Sequence, residues 1–387
     1  MLPAVAFYTP EVVADAVGIG AADSRRLALE MSEAKSAVCY SRMGASTQTF
    51  GGLCLWLTNV FNLMTGNVDK PGGAMFPQPA LDLLQQVRPG KPNSHGRYKS
   101  RVRALPSYQG EFPIATLVDE ITTPGDGQIR GMVTVAGNPV LSSPEGDRLG
   151  EAFEQLDFMV AVDIYINETS SHADIILPPT TGLEESHYDM FFNSLAVRNT
   201  AKYSPALFPK RDDQRYEWQI LKALTQRLSG AEEDNVTPEM LLDMSLQAGP
   251  WAAQGMSLAL LRDNPHGVDL GPLQPCLPDR LRTADGRIKL APEAYLDDLP
   301  RLKQSLAEDA EDRKTYPFQI IGRRTPRSHN TWTQNSKRLV KGKNQCTLEI
   351  NRADAERLGI TSGQWVQVRS RSGELRAQAE VIDGILS

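Results

Sequence analysis

The strongest constraint on the fold is a repeated order of apolar run, polar loop and amphipathic helix. Residues 131–136 (Gly-Met-Val-Thr-Val-Ala) read as a strand, Gly137-Asn138-Pro139 as a turn, 145–156 as a helix and 158–162 (Phe-Met-Val-Ala-Val) as a second strand ending at Asp163. Alternation of short apolar strands with helices is the grammar of a parallel sheet that presents its loops at the carboxyl edge. A third short strand is expected over 173–177, closed by Pro178-Pro179. An earlier cycle is expected upstream: 36–40 as a buried strand, 41–49 as a polar loop, and 50–65 as a helix. Before it, Thr9 is placed to cap a helix that starts at Pro10 and stops at Gly18. Residues 22–34 form a second helix with Leu27, Met31 and Ala34 on one face and Arg25, Arg26, Glu30 and Glu33 opposite.

The rest of the chain is less regular. Residues 66–128 are rich in Pro, Gly and charge, with one helix expected over 112–121, while 216–228 and 238–247 are helical by period. Residues 249–300 carry many Pro and Gly without strong periodicity and read as a cap or linker. After Pro317 the period changes from 3.6 to 2. Residues 318–321, 347–350, 365–369 and 375–381 are strand-like, interrupted by a helix over 352–358, and together suggest a small β-barrel. The expected class is therefore α/β, with portions of two Rossmann-like parallel-sheet domains followed by a C-terminal barrel. The boundaries fall at 1–76, 77–230, 231–315 and 316–387, the third segment being linker or cap. A length of 387 residues accommodates two or three such cores without disulfides or metals.

Charge is unevenly placed. The net charge is -6, which argues against a general nucleic-acid binder. Yet residues 314–346 hold eight basic side chains (Lys314, Arg323, Arg324, Arg327, Lys337, Arg338, Lys341, Lys343) and no acid. That segment suits an anionic partner. No apolar run is long enough for a membrane span, and residues 1–9 lack a basic region followed by an apolar core, so a cytoplasmic protein is expected. Cys39, Cys54, Cys276 and Cys346 lie far apart with no CxxC pair, so neither a zinc site nor a cluster site is read from them.

Residues with chemical promise are few. Gly322, Arg323, Arg324, Ser328, His329, Asn330 and Thr331 lie in a loop that offers guanidinium forks, hydroxyls and an amide suited to phosphate or pterin edges, with a solvated basic loop as the alternative. Asp163 ends a strand, where a carboxylate can accept from a guanine or a ribose hydroxyl or can cap a helix. Asn138 is either a turn former or a ligand contact. His172, His187 and His266 are isolated, and Glu184-Glu185 are adjacent residues that seldom point the same way. No nucleophile with its base, no HExxH and no phosphate-cradling glycine loop is present, so no catalytic residue or metal ligand is assigned.

Several strings are recognisable together. Ser41-Arg42-Met43-Gly44 through Phe50-Gly51, Asn62-Leu-Met-Thr-Gly-Asn-Val-Asp-Lys-Pro-Gly-Gly73, Gly137-Asn138-Pro139, and Asp163 followed by Thr169, Ala173-Asp174-Ile175-Ile176-Leu177-Pro178 and Glu184 resemble the molybdopterin oxidoreductases of the dimethyl sulfoxide reductase family. Leu348-Glu349-Ile350-Asn351, Asp354-Ala355, Leu358-Gly359-Ile360 and Gly363 resemble that family's C-terminal dinucleotide-binding domain, whose barrel is double-psi-like. The resemblance implies bis(molybdopterin guanine dinucleotide) with molybdenum, held between α/β domains and the barrel. Met43 would line one dinucleotide, Asn138 and Asp163 the other with Asp163 at its guanosine end, and the loop of Gly322, Arg323, Arg324, Ser328, His329, Asn330 and Thr331 would wrap pterin and phosphates. It also implies a small-molecule redox substrate, a separate electron-transfer partner, no nucleic acid and no membrane span.

Departures accompany the likeness. The stretch that carries the molybdenum ligand and, where present, an iron-sulfur cluster motif in active relatives has no counterpart here, and Thr47 stands where relatives often have Gln. The chain is accordingly expected to represent the C-terminal half of such an enzyme, one that alone neither turns over substrate nor retains the full cofactor. Two rivals are a cofactor-free structural relative, similar to the large peripheral subunit of respiratory NADH dehydrogenase, and a nucleic-acid-binding barrel. The intact Arg-rich loop favours the cofactor reading over the first.

Overall fold

A computed structural model describes residues 2–83, 96–325, 327, 329, 333, 335–343 and 346–385. The chain divides into two compact units, Met1–Leu302 and Lys303–Ser387.

In the first unit the expected parallel sheet is present. Strands β1 (Gly131–Val135), β2 (Phe158–Val162) and β3 (Ile175–Ile176) lie in the order β1-β2-β3, all parallel, with Gly131 opposite Phe158 and Val160 opposite Ile175. β3 is shorter than its apolar run because Asp174 uses its side chain as well as its backbone. Its carboxylate accepts from the Met159 N–H at 2.7 Å while its own N–H donates to the Met159 carbonyl at 2.9 Å. Helices Leu117–Thr122 and Gly146–Phe153 supply the core on this sheet, with Ile121, Leu149, Phe153 and Met159 all buried. Each such side chain contributes roughly 1.5–3 kcal/mol by leaving water. Gly146 is required at its helix start, since a Cβ there would overlap the Val140 carbonyl.

The upstream cycle differs from expectation. Residues 36–41 are extended but belong to no sheet among the described residues. Two buried asparagines hold them instead. The Asn62 carboxamide accepts from the Cys39 N–H and donates to the Cys39 carbonyl, both at 2.8 Å, as a neighbouring strand would. Asn67 accepts from the Ala37 N–H at 3.3 Å and donates to the Met31 carbonyl at 3.4 Å. A strand needs a backbone partner, and here side chains from helix Gly51–Met64 and the turn beyond it take that place. Val38 and Tyr40 remain 53% and 71% exposed. The preceding helices follow the sequence, with Thr9 capping Pro10–Val17, Gly18 closing it in the left-handed region (φ 69°), and Ala21–Glu33 next. Leu53, Trp56 and Val60 of helix Gly51–Met64 bury against Leu299, and Trp56 stacks on Tyr295 at 5.5 Å.

The remainder of this unit is built from β4 (His187–Tyr188), β5 (Arg198–Ala201), β6 (Tyr203–Ser204) and β7 (Val268–Pro272), paired antiparallel as β4-β6 and β5-β7. β7 and helix Leu258–Asp263 come from the stretch read as cap or linker; they join a core with Ala80, Ala201, Tyr203 and Leu246. An ion pair is buried beside it: Arg280 Nη1 lies 2.6 Å from Asp82 Oδ2, with the carboxylate side chain only 1% exposed. No helix among the described residues is long and apolar enough to cross a membrane.

The second unit contains β8 (Thr347–Asn351), β9 (Trp365–Arg369) and β10 (Glu374–Ile382) in the order β8-β10-β9, parallel between β8 and β10 and antiparallel between β10 and β9. Asn351 caps helix Arg352–Leu358, which ends at Gly359 with φ 67°. The expected barrel is not closed among the described residues. Alternation of apolar and polar residues specifies strands but not closure, which requires the outer strands to find partners. Residues 318–321, expected as a further strand, join no sheet among the described residues, with Phe318, Ile320 and Ile321 exposed.

Candidate functional site

The carboxyl edge of β1 and β2 gathers the densest polar network associated with the expected site residues. β1 ends in a ladder bond from Ala136 N–H to the Val162 carbonyl at 2.9 Å, although Ala136 has φ 49°, a conformation costly for a residue with a Cβ. That kink delivers Asn138 to the start of helix Pro139–Ser142. β2 delivers Asp163, whose Oδ1 accepts from the Tyr165 N–H at 3.0 Å and whose Oδ2 accepts from Asn167 Nδ2 at 2.9 Å. Asn167 Oδ1 in turn accepts the N–H groups of Thr169 and Ser170. The loop after β2 is thus wound around an Asx turn. No helix starts at Asp163 among the described residues, so the capping use is not taken up, while each oxygen keeps a second lone pair able to accept from a ligand.

Thr169 joins the two strand ends. Its hydroxyl donates to Asn138 Oδ1 at 2.8 Å and accepts from the Val140 N–H at 3.0 Å, and the residue is fully buried. Asn138 Nδ2 donates to Glu168 Oε2 at 2.6 Å. This bond holds the Glu168 carboxyl below the ordinary glutamate range, helped by a bond from its own main chain. A lowered folded value means that the associated stability is present above the ordinary value and lost as pH falls through the lowered one. In an NMR titration Glu168 should therefore protonate below an ordinary glutamate, and N138A should move its midpoint upward; an unmoved midpoint would remove the bond from the account.

Asn138 and Asp163, read separately in the sequence, therefore share one network. Asn167, Glu168 and Thr169 were not singled out as site residues. The available signal was local: a run of side-chain acceptors and hydroxyls directly after a strand end, the pattern that winds Asx turns. Met43 opens the short helix Met43–Ser46 and is exposed, with Thr47 Oγ1 donating to its carbonyl at 2.6 Å. No hydrogen bond among the described residues links Met43 to the network. His172 is satisfied by Glu154, and Glu184 and Glu185 turn to different threonines, Thr181 and Thr180. No group of three or more His, Cys, Asp or Glu among the described residues is arranged to hold a metal ion.

In the second unit, Gly322 has open space around its α-carbon. Arg323 ion-pairs with Glu349 and lies 3.6 Å from Glu380, while its Nη2 donates to Thr347 Oγ1 at 3.2 Å. Glu349 and Glu380 are direct cross-strand neighbours on β8 and β10, a like-charge pair that the guanidinium offsets. Arg327 donates to the Lys341 carbonyl at 2.7 Å and packs where a Cβ on Gly342 would sit. Arg324 and His329 are exposed, His329 with φ 39°. Ser328, Asn330 and Thr331 lie outside the described residues.

Comparison with known proteins adds three findings. Residues 22–227 match the family model described as molybdopterin oxidoreductase, and 318–387 match that of the molydopterin dinucleotide binding domain. The F420-dependent formate dehydrogenase subunit alpha of Methanocaldococcus jannaschii is 26% identical over 98% of this chain and 56% of its own length. Formate dehydrogenase H of Escherichia coli is 30% identical over 60% of this chain and 34% of its own, and a nitrate reductase of Symbiobacterium thermophilum is 26% identical over 97% and 53%. Among solved structures, acetylene hydratase from Pelobacter acetylenicus superposes with a TM-score of 0.54 over 69% of this chain and 37% of its own, at 16% identity, a likeness of fold. The chain spans about half the length of the first of these relatives.

Proposed function

Since the chain belongs to the molybdopterin oxidoreductase family, we propose that it forms the cofactor-holding portion of a molybdenum-dependent oxidoreductase that carries bis(molybdopterin guanine dinucleotide). The carrying observation is the pairing of a dinucleotide-binding match with a donor and acceptor set that fits such a group. At the β1 and β2 edge stand a carboxamide and two carboxylates, which suit the mixed donor and acceptor edge of guanosine. The basic segment offers guanidinium and ammonium groups that suit pyrophosphates.

In this reading Asn138 and Asp163 receive one dinucleotide, Asp163 at the guanosine end. Met43 lines the other, and Gly322, Arg323, Arg324, Ser328, His329, Asn330 and Thr331 contribute to the loop around pterin and phosphates. Rossmann-like α/β domains and a double-psi-like C-terminal domain are the architecture proposed for the assembled protein, and the cytoplasm its location. When bound, the group supplies oxidation and reduction at molybdenum for a small-molecule redox substrate, with a separate partner exchanging electrons. The residues of this chain contribute orientation: Asn138 and Asp163 fix the nucleotide end, and the basic loop offsets phosphate charge.

Purified in its natural assembly, the protein is expected to contain molybdenum and to release guanosine monophosphate on acid hydrolysis, two per metal. Mass spectrometry and nucleotide chromatography read both quantities. A well-folded preparation lacking both would favour the cofactor-free structural relative.

A further inference from the structure

We propose that Thr169 is a positioning residue: its buried hydroxyl fixes which face of the Asn138 carboxamide is presented at the sheet edge. The argument is one of hydrogen-bond direction. The Val140 N–H can only donate, so it occupies a lone pair of Thr169 Oγ1. The single hydroxyl proton of Thr169 is left to donate to Asn138, which therefore turns Oδ1 inward. Nδ2 then faces Glu168, whose carboxylate can only accept. A flipped carboxamide would set its oxygen against that carboxylate. The relay from Val140 through Thr169 and Asn138 to Glu168 runs in one direction, and Thr169 is its buried element.

The same loop orders the second site residue. Asn167, which accepts the Thr169 N–H, donates to Asp163. Thr169 thus links the two side chains assigned to one dinucleotide, and its role is to act through them. The proposal rests on the functional reading only for what Asn138 is presented to; the placement of Asn138 stands on geometry alone.

T169V keeps the shape and removes the hydroxyl, whereas T169S keeps the hydroxyl. Hydrogen exchange of the full chain reads placement without any cofactor. In T169V, which removes both bonds of the buried hydroxyl, the amides of residues 138 and 140–143 should exchange about tenfold faster or more, while amides of helix Leu117–Thr122 stay protected. T169S should restore the native rate. In the natural assembly, the guanosine monophosphate released per chain should fall in T169V and recover in T169S. Unchanged exchange at 138–143 in T169V, or T169S behaving as T169V, overturns the proposal, as does native nucleotide content in T169V. If the unsubstituted assembly releases no nucleotide, the dinucleotide reading fails, and the exchange arm alone decides the role of Thr169.

Discussion

Replacing Arg280 by alanine is expected to destabilise the first unit by about 3–5 kcal/mol, the usual consequence of removing the ion-pair partner of a buried charge. Asp82 and Arg280 are 198 residues apart and meet through two contacts, Nη1 to Oδ2 at 2.6 Å and Nη2 to Oδ1 at 3.3 Å. The carboxylate is almost inaccessible to water, so it cannot be rehydrated without opening the core formed by Ala80, Leu81 and Leu246. Removing both charges removes the uncompensated ion, so D82L/R280M should recover part of the loss. Urea denaturation of the parent, R280A and D82L/R280M checks this. A single R280A change within about 0.5 kcal/mol of the parent, the range of ordinary surface substitutions, would show that the pair is not buried in solution.

The second large effect is expected at Asn62. N62L should cost about 2–4 kcal/mol, because both the N–H and the carbonyl of Cys39 lose their partner and the leucine offers none. N62Q should not rescue it, since the longer side chain cannot place both amide atoms against one residue. The local reading is hydrogen exchange at residues 36–41, which should lose protection in N62L well before helix Gly51–Met64 does. Protection retained at Cys39 would mean that another group holds this segment. Because the segment leads directly into Met43, its release would also free one of the proposed cofactor contacts.

These two features mark the limit of what the sequence made legible. Elements governed by local chemistry were read closely: the Thr9 cap and Gly18 stop, helix Gly51–Met64, and the parallel pair β1 and β2, whose apolar runs and intervening helix are contiguous. Elements that depend on distant partners were not. The run over 36–40 has strand composition, but its partner is the side chain of Asn62, which carries no periodic signal. β7 contains Asp269, Gly271 and Pro272 and lacks alternation, yet pairing with β5, some 70 residues earlier, makes it a strand. The period-2 runs of the second unit located three strands, while barrel closure was not readable from period. For the site, Asn138 and Asp163 stood out as polar residues at strand ends. Thr169 belongs to the string that carries the resemblance, but its role is legible only from what it touches.

The pairing of Arg323 with Glu349 and Glu380 bears on how the basic segment would respond to ionic strength. Its eight cations are separated from acid along the chain, but in the folded unit one guanidinium already has carboxylates for counter-ions. Mobile salt competes with an arriving anion only at cations that the protein has not itself neutralised. The affinity of this segment for a polyanion should therefore fade with added salt less steeply than eight independent cations would dictate. Exchanging Glu349 and Glu380 for glutamine would steepen that dependence while adding no positive charge.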